Sequence, residues 1–256
     1  METMKYPLGS YSFMHKHIVA FILLLSVVSC NKENAPDCLQ SAGEYTTIER
    51  GLDNFVTVEL NDYIQYELCE AAFFGVIITA PRNLIPDIET EVKDGRLIIH
   101  NRNTCNFMRS FKKKITIRIC APSFTEVQNF STGDIRTVNA MRSSKFLMEN
   151  RDAAGVHQLE VDADTVIINI HTGVCDVVVH GRTQVAALFN QGLGVLDARA
   201  LSASMAFVNN SSVNKVFVNS TDYLFTVINS SGSVYYSGSP SLIDLEIQGQ
   251  GQLLPL

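Results

Sequence analysis

One interval recurs through the second half of the chain and restricts its fold more than any other feature. The apolar residues ahead of successive turns are Phe130, Ile170, Phe189, Val208, Ile228 and Ile247. They lie 19 or 20 residues apart after a first interval of twice 20. Small and polar residues fill the turns below them, as in His171-Thr172-Gly173, Asn190-Gln191-Gly192, Asn209-Asn210-Ser211 and Asn229-Ser230-Ser231. β-rich runs such as Val177-Val178-Val179 and Val216-Phe217-Val218 follow. A strand–turn–strand unit of about 20 residues has the length of one coil of a β-solenoid. Such a coil buries its apolar face only when neighbours stack on it.

This interval predicts that Phe189, Val208, Ile228 and Ile247 lie above one another inside the stack. The residues after these anchors are Asn190, Asn209, Asn229 and Gln248. With coils ~4.8 Å apart, their amides are expected to hydrogen-bond up the stack as a ladder outside the apolar core. A β-sandwich of regular hairpins is the competing architecture; it explains the turn residues but not the constant interval.

The first half also reads as strands. Phe55–Leu60 and Ile115–Ile119 alternate or nearly alternate, as half-buried strands do. Lys93-Asp94-Gly95 separates Ile88–Val92 from Leu97–His100 and marks a hairpin, because Asp-Gly tolerates positive φ.

Three segments then carry a family resemblance. Ser230-Ser231-Gly232-Ser233-Val234-Tyr235-Tyr236-Ser237-Gly238-Ser239-Pro240 resembles the terminal glycine-serine coil of the auto-transporter adhesin, head-GIN-domain family. Glu91-Val92-Lys93-Asp94-Gly95-Arg96-Leu97-Ile98-Ile99 and Ser131-Thr132-Gly133-Asp134-Ile135 resemble its earlier landmarks. The likeness runs from about Tyr45 to Leu254. It implies an all-β, right-handed parallel β-solenoid or β-roll, exported by members of the Bacteroidota, and brings no catalytic residues with it. The turns Asn209–Ser212 and Gln248–Gly251 depart from the family's Gly-Ser-Gly pattern.

The N-terminus predicts export. Ile18–Val28 is apolar but shorter than the ~20 residues of a spanning helix, and Lys16 precedes it between two histidines. Val27-Val28-Ser29-Cys30 resembles a bacterial lipobox, in which the cysteine is acylated and the chain is cut just before it. Residues 1–29 are thus read as a lipoprotein signal peptide, translated from Met1 or Met14, 30–44 as a tether, and 45–254 as the solenoid. A plain secretory signal with an incidental cysteine is the alternative. Two or three acyl chains would hold the mature chain on a membrane surface, here that of the outer membrane.

An oxidising compartment permits a disulfide. Cys38, in the tether, and Cys105, in a polar loop, are the expected pair. Cys69, Cys120 and Cys175 sit in apolar runs and read as small core residues.

Candidate chemistry is sparse. The net charge of −6 argues against nucleic acid as a partner. Asp134, Asp176 and Asp197 occupy different offsets from their turns, so no paired carboxylates for glycan cleavage emerge. His171, Cys175 and His180 tempt a zinc reading, but strand alternation turns His180 away from Cys175. No metal or cofactor is expected. Arg109–Lys114 is a basic run suited to an anionic glycan or headgroup, or simply to a solvated turn. Asp164-Thr165-Val166 resembles a short O-glycosylation motif, with Thr165 as acceptor. The chain contains no Trp, which leaves Tyr235 or Tyr236 to stack on sugars. The expected function is that of a non-enzymatic, adhesin-like envelope protein with a glycan or protein ligand; a carbohydrate-active enzyme and a purely structural component are the rivals.

Overall fold

A computed structural model describes residues 41–103 and 114–256. Cys30, Cys38, Cys105 and most of the basic run lie outside the described residues.

Among the described residues seventeen strands carry the fold. The first nine are short: β1 (Tyr45–Gly51), β2 (Thr57–Leu60), β3 (Gln65–Glu70), β4 (Gly75–Pro81), β5 (Ile88–Lys93), β6 (Arg96–Asn101), β7 (Thr116–Ala121), β8 (Glu126–Asn129) and β9 (Ile135–Thr137). Five long strands follow: β10 (Met141–Asn150), β11 (Val156–Ile170), β12 (Asp176–Asn190), β13 (Leu196–Asn210) and β14 (Val216–Ile228). β15 (Val234–Gly238), β16 (Leu242–Ile247) and β17 (Leu253–Pro255) close the described chain.

From β8 onward all pairing is parallel, each strand stacked on the one a coil earlier. The architecture is therefore a parallel β-solenoid. Its pairings form two ladders, joined because the long strands contribute one half to each. In the first ladder the order is β6, β2, β8, then the C-terminal halves of β10 to β14, then β16. The second runs β7, β3, β9, then the N-terminal halves of β11 to β14, then β15 and β17.

The chain does not visit its coils in order. β2–β3 comes earlier in sequence but is stacked between the β6–β7 coil and the β8–β9 coil. Antiparallel strands close that end of the stack: β5 pairs with β6, β4 with β7, and β1 with β4. Between β4 and β5 a short 3-10 turn (Arg82–Asp87) carries the buried Leu84 and Ile85 into the core. The β5–β6 hairpin turns at Asp94 (φ 51°) and Gly95 (φ 74°), as the Asp-Gly pair predicts.

Alternation then sorts the side chains. Inward rows such as Phe146–Val166–Ala186–Ala206–Leu224 and Met148–Ile168–Leu188–Val208–Thr226 are buried in register, one rung per coil. Burial at about 25 cal/mol per Å² of apolar surface holds the stack together.

The predicted anchor stack is corrected by this register. Phe189 pairs with Asn209 and lies on the outward parity, whereas Val208 stacks on Leu188. Ile228 belongs to a different row, above Asn210, with Ile247 above it but half-exposed on the last rung. The cause is coil length. Leu196 pairs with Val216, but a bulge between Ala198 and Ala203 means that Met205 pairs with Tyr223, two residues sooner. A ruler of 19 or 20 residues therefore drifts across rows.

The amide ladder is corrected in the same way. Asn129, Asn150, Asn190 and Asn210 are fully buried amides at inside corners of the stack. Asn129 donates to the Asn150 side chain at 2.9 Å. Asn190 donates to the Gly194 carbonyl at 3.0 Å, and Asn210 to those of Asn214 and Gly232. Asn190 and Asn210 thereby satisfy turn carbonyls that would otherwise be costly to bury. Of the four predicted amides only Asn209 and Asn229 pair outside the core, at 3.1 Å.

Candidate ligand-binding surface

A solenoid strand needs only one apolar face, yet over β12 to β14 the first ladder is apolar on both. In β14 the inward Leu224, Thr226 and Ile228 alternate with the outward Tyr223, Phe225 and Val227. The outward residues of neighbouring coils continue the pattern. Phe207 lies beside Phe225 and Ala187, and Phe189 lies beside Asn209. Phe207 meets Tyr223 edge-on at 5.8 Å between ring centroids and Phe225 at 6.5 Å. Phe207 and Met205 are each 39% exposed. The result is a shallow groove of about 270 Å³ whose walls are Phe189, Phe207, Phe225 and Val227, with the amides of Asn169 and Asn209 on its border.

One edge of this groove is polar and preorganised. Glu149 accepts hydrogen bonds from Asn169 Nδ2 at 2.7 Å and His171 Nε2 at 2.6 Å, and pairs with Arg151 at 2.9 Å. Burial alone would raise its pKa; these three partners together hold the carboxyl below the usual range. The His171 ring also packs 5.4 Å from Phe189. Aromatic walls beside fixed amides, a carboxylate and an imidazole can accept a ligand with apolar faces and hydroxyl edges.

The outward face of the second ladder differs. A groove of about 360 Å³ is lined there by Gln65, Glu67, Lys114, Asp134, Arg136 and Gln158, among others. Glu67 is almost buried, and its two oxygens are taken by Arg118 at 2.8 Å and by Arg136. Burial raises its pKa, and hydrogen bonds from Arg136 and Arg118 outweigh that and lower it. Further along, Arg199 sits 3.9 Å over Phe217, which stacks on Tyr235 at 5.2 Å. Tyr236, one residue on, packs against the core, as alternation requires.

Of the aspartates singled out in the sequence, Asp134 and Asp176 prove to be braces between coils and Asp197 a local clamp within its own strand. Asp134 accepts the amide of Val156 at 3.0 Å, and Asp176 that of Val195 at 2.8 Å. Asp197 accepts both the amide and Nε of Arg199. His171 is committed to Glu149 and Cys175 is fully buried, so the two do not converge. Among the described residues no group of three His, Cys, Asp or Glu side chains is placed to hold a metal. Thr165 lies half-exposed within β11, between Lys145 and Val185 on the neighbouring coils. Cys120 is buried, as expected, whereas Cys69 is half-buried; both share the outward parity of Glu67 and Arg118.

The aromatic groove was not legible as a site, because Phe189 reads as a core anchor in one dimension. Its signal was the double-sided apolar pattern of Tyr223–Ile228.

A family model described as "putative auto-transporter adhesin, head GIN domain" matches residues 54–240. Among solved structures, a "putative adhesin" from Bacteroides fragilis superposes with a TM-score of 0.76 at 21% identity, covering 83% of this chain and 97% of that one. A "putative adhesin" from Parabacteroides distasonis gives 0.65 at 17% identity, with 84% and 98% covered. A "putative lipid binding protein" from the same species gives 0.62 at 17%, with 84% and 97% covered. These likenesses establish a shared fold. No curated protein matches the chain. Among the described residues no helix is long and apolar enough to cross a membrane.

Proposed function

Because this chain belongs to the auto-transporter adhesin, head GIN domain family, we propose that it is a non-enzymatic, adhesin-like protein of the cell envelope, held by a lipid on Cys30, that binds a glycan on the outward face of its first ladder. The observation that carries this reading is the groove of Phe189, Phe207, Phe225 and Val227 with its amide and carboxylate border. Apolar surface left on the outside of a stack whose core is already filled serves recognition more readily than stability. The structural roles of Asp134, Asp176 and Asp197 favour binding over cleavage, since each carboxylate is occupied by a backbone amide.

The experiment is a screen of the purified chain against neutral and acidic polysaccharides, reading both retention and new reducing ends. Retention without turnover supports the proposal. Turnover, or binding only to lipid vesicles, contradicts it.

The anchor is tested separately. Cys30→Ala should abolish labelling by a palmitate analogue and leave an uncut precursor. A labelled mutant would refute acylation at Cys30.

A further inference from the structure

β3 and β7 run parallel as neighbours, and their register sets Cys69 directly opposite Cys120. Both residues have the outward parity of their strands, so the two side chains leave the same face of the ladder. Parallel neighbours lie about 4.8 Å apart, inside the ~4.4–6.8 Å Cα separation that a disulfide spans. Burial, with the neighbouring Cys69 thiol, pushes that of Cys120 up to about 12. On the other side of Cys120 stands Gly75, which puts no side chain in the way. In the structure both sulfurs are free thiols.

We propose that Cys69 and Cys120 are a disulfide-forming site, oxidised by an exchangeable disulfide once the chain is exported. This rests on the envelope location proposed above only for its setting; the chemistry belongs to the folded chain. Cys69, the more accessible thiol, loses its proton and attacks one sulfur of the oxidant, displacing the other as a thiolate. Cys120, deprotonated in turn, attacks Cys69 Sγ and expels the second thiolate. Two electrons and two protons leave the pair, and the oxidant becomes two thiols.

The bond would have a structural consequence. β3 belongs to the coil that is inserted out of sequence order, and β7 to the coil beneath it. A covalent link between them fixes that insertion at the closed end of the stack.

The test uses the full chain, purified reduced and then exposed to excess glutathione disulfide. After an acid quench it is alkylated in denaturant, digested without reduction and mapped by mass. The expected product joins the Cys69 and Cys120 peptides with a loss of about 2 Da. In Cys120→Ser, Cys69 should instead carry a glutathione adduct, because the resolving thiol is gone. Wild-type protein in which both cysteines alkylate fully would overturn the proposal. So would a stable glutathione adduct on Cys69 with Cys120 still alkylated, or a bridge from either to Cys38 or Cys105. None of these results bears on the glycan reading, which the polysaccharide screen decides by itself.

Discussion

Gly181→Ala should destabilise the solenoid by more than about 3 kcal/mol, and most of the protein should fail to fold at 37 °C. Gly181 sits midway along β12 with φ +124°, a backbone conformation that L side chains rarely adopt. A Cβ there would fall on the carbonyl oxygen of Val161 in the coil below. The strain and the clash act together: to relieve either, the neighbouring coils must separate, and separation opens the Met141–Val161–Leu201 row of the core. Gly95→Ala is the control. It has φ +74° at the β5–β6 turn but open space around it, so only backbone strain of about 1–2 kcal/mol is expected. Urea unfolding of the two variants beside the parent measures the difference. A Gly181→Ala loss no larger than that of Gly95→Ala would show that the coils are not packed as described.

Acid should weaken the fold in two stages, and His157 sets the first. His157 is fully buried under the Asn129–Asn150 corner, its Nε2 3.2 Å from the carbonyl of Ala154. Burial pushes its pKa down to about 4, from the ordinary 6.5, against smaller opposing effects of the Ala154 carbonyl and of Asp134 and Asp176. Between those values the unfolded chain takes up a proton that the folded chain refuses. Stability is therefore complete above pH 6.5 and falls as the pH drops toward 4, by about 3 kcal/mol. Glu67 and Glu149 have values lowered from the ordinary 4.5, so their contributions are complete above pH 4.5 and are lost only below it. His157→Gln should remove the slope between pH 6.5 and 4 and leave the steeper loss below it. Chemical unfolding at several pH values reads the slope directly, whatever the variant's absolute stability. An unchanged slope would mean that His157 titrates normally in the folded protein.

How much of this was legible in the sequence follows from what is local. The Lys93-Asp94-Gly95 hairpin is fixed by two residues and their φ angles, and it forms where expected. The coil interval is legible because every coil must turn, and turns draw on the same small residues. Register is not, because it accumulates along the chain. A register shift between Val178 and His180 lengthens the β12–β13 step from 19 to 20 residues, so Asn209 looks equivalent to Asn190 although Asn210 is its true partner, and the bulge between Ala198 and Ala203 shortens the next step. Polarity could not separate the two either. An asparagine that closes a buried corner and one that decorates a turn are the same letter. The out-of-order placement of β2–β3 depends wholly on distant partners, β6 and β8, and has no local signature. The binding groove fell between these cases. Its aromatics were visible, but their outward parity needed the register that the interval could not supply.

The central claim is that recognition belongs to the aromatic face of the first ladder and not to the charged face of the second. The most direct measurement compares two double variants for retention on the polysaccharide, or on the whole cells, that the parent binds. Phe207→Ser with Phe225→Ser strips the groove while leaving the inward rows intact. Arg199→Ser with Tyr235→Ser removes the outer members of the stack around Phe217 on the other face. Loss of retention in the first pair alone, by tenfold or more (about 1.4 kcal/mol), is the predicted result. Retention lost in the second pair and kept in the first would contradict it.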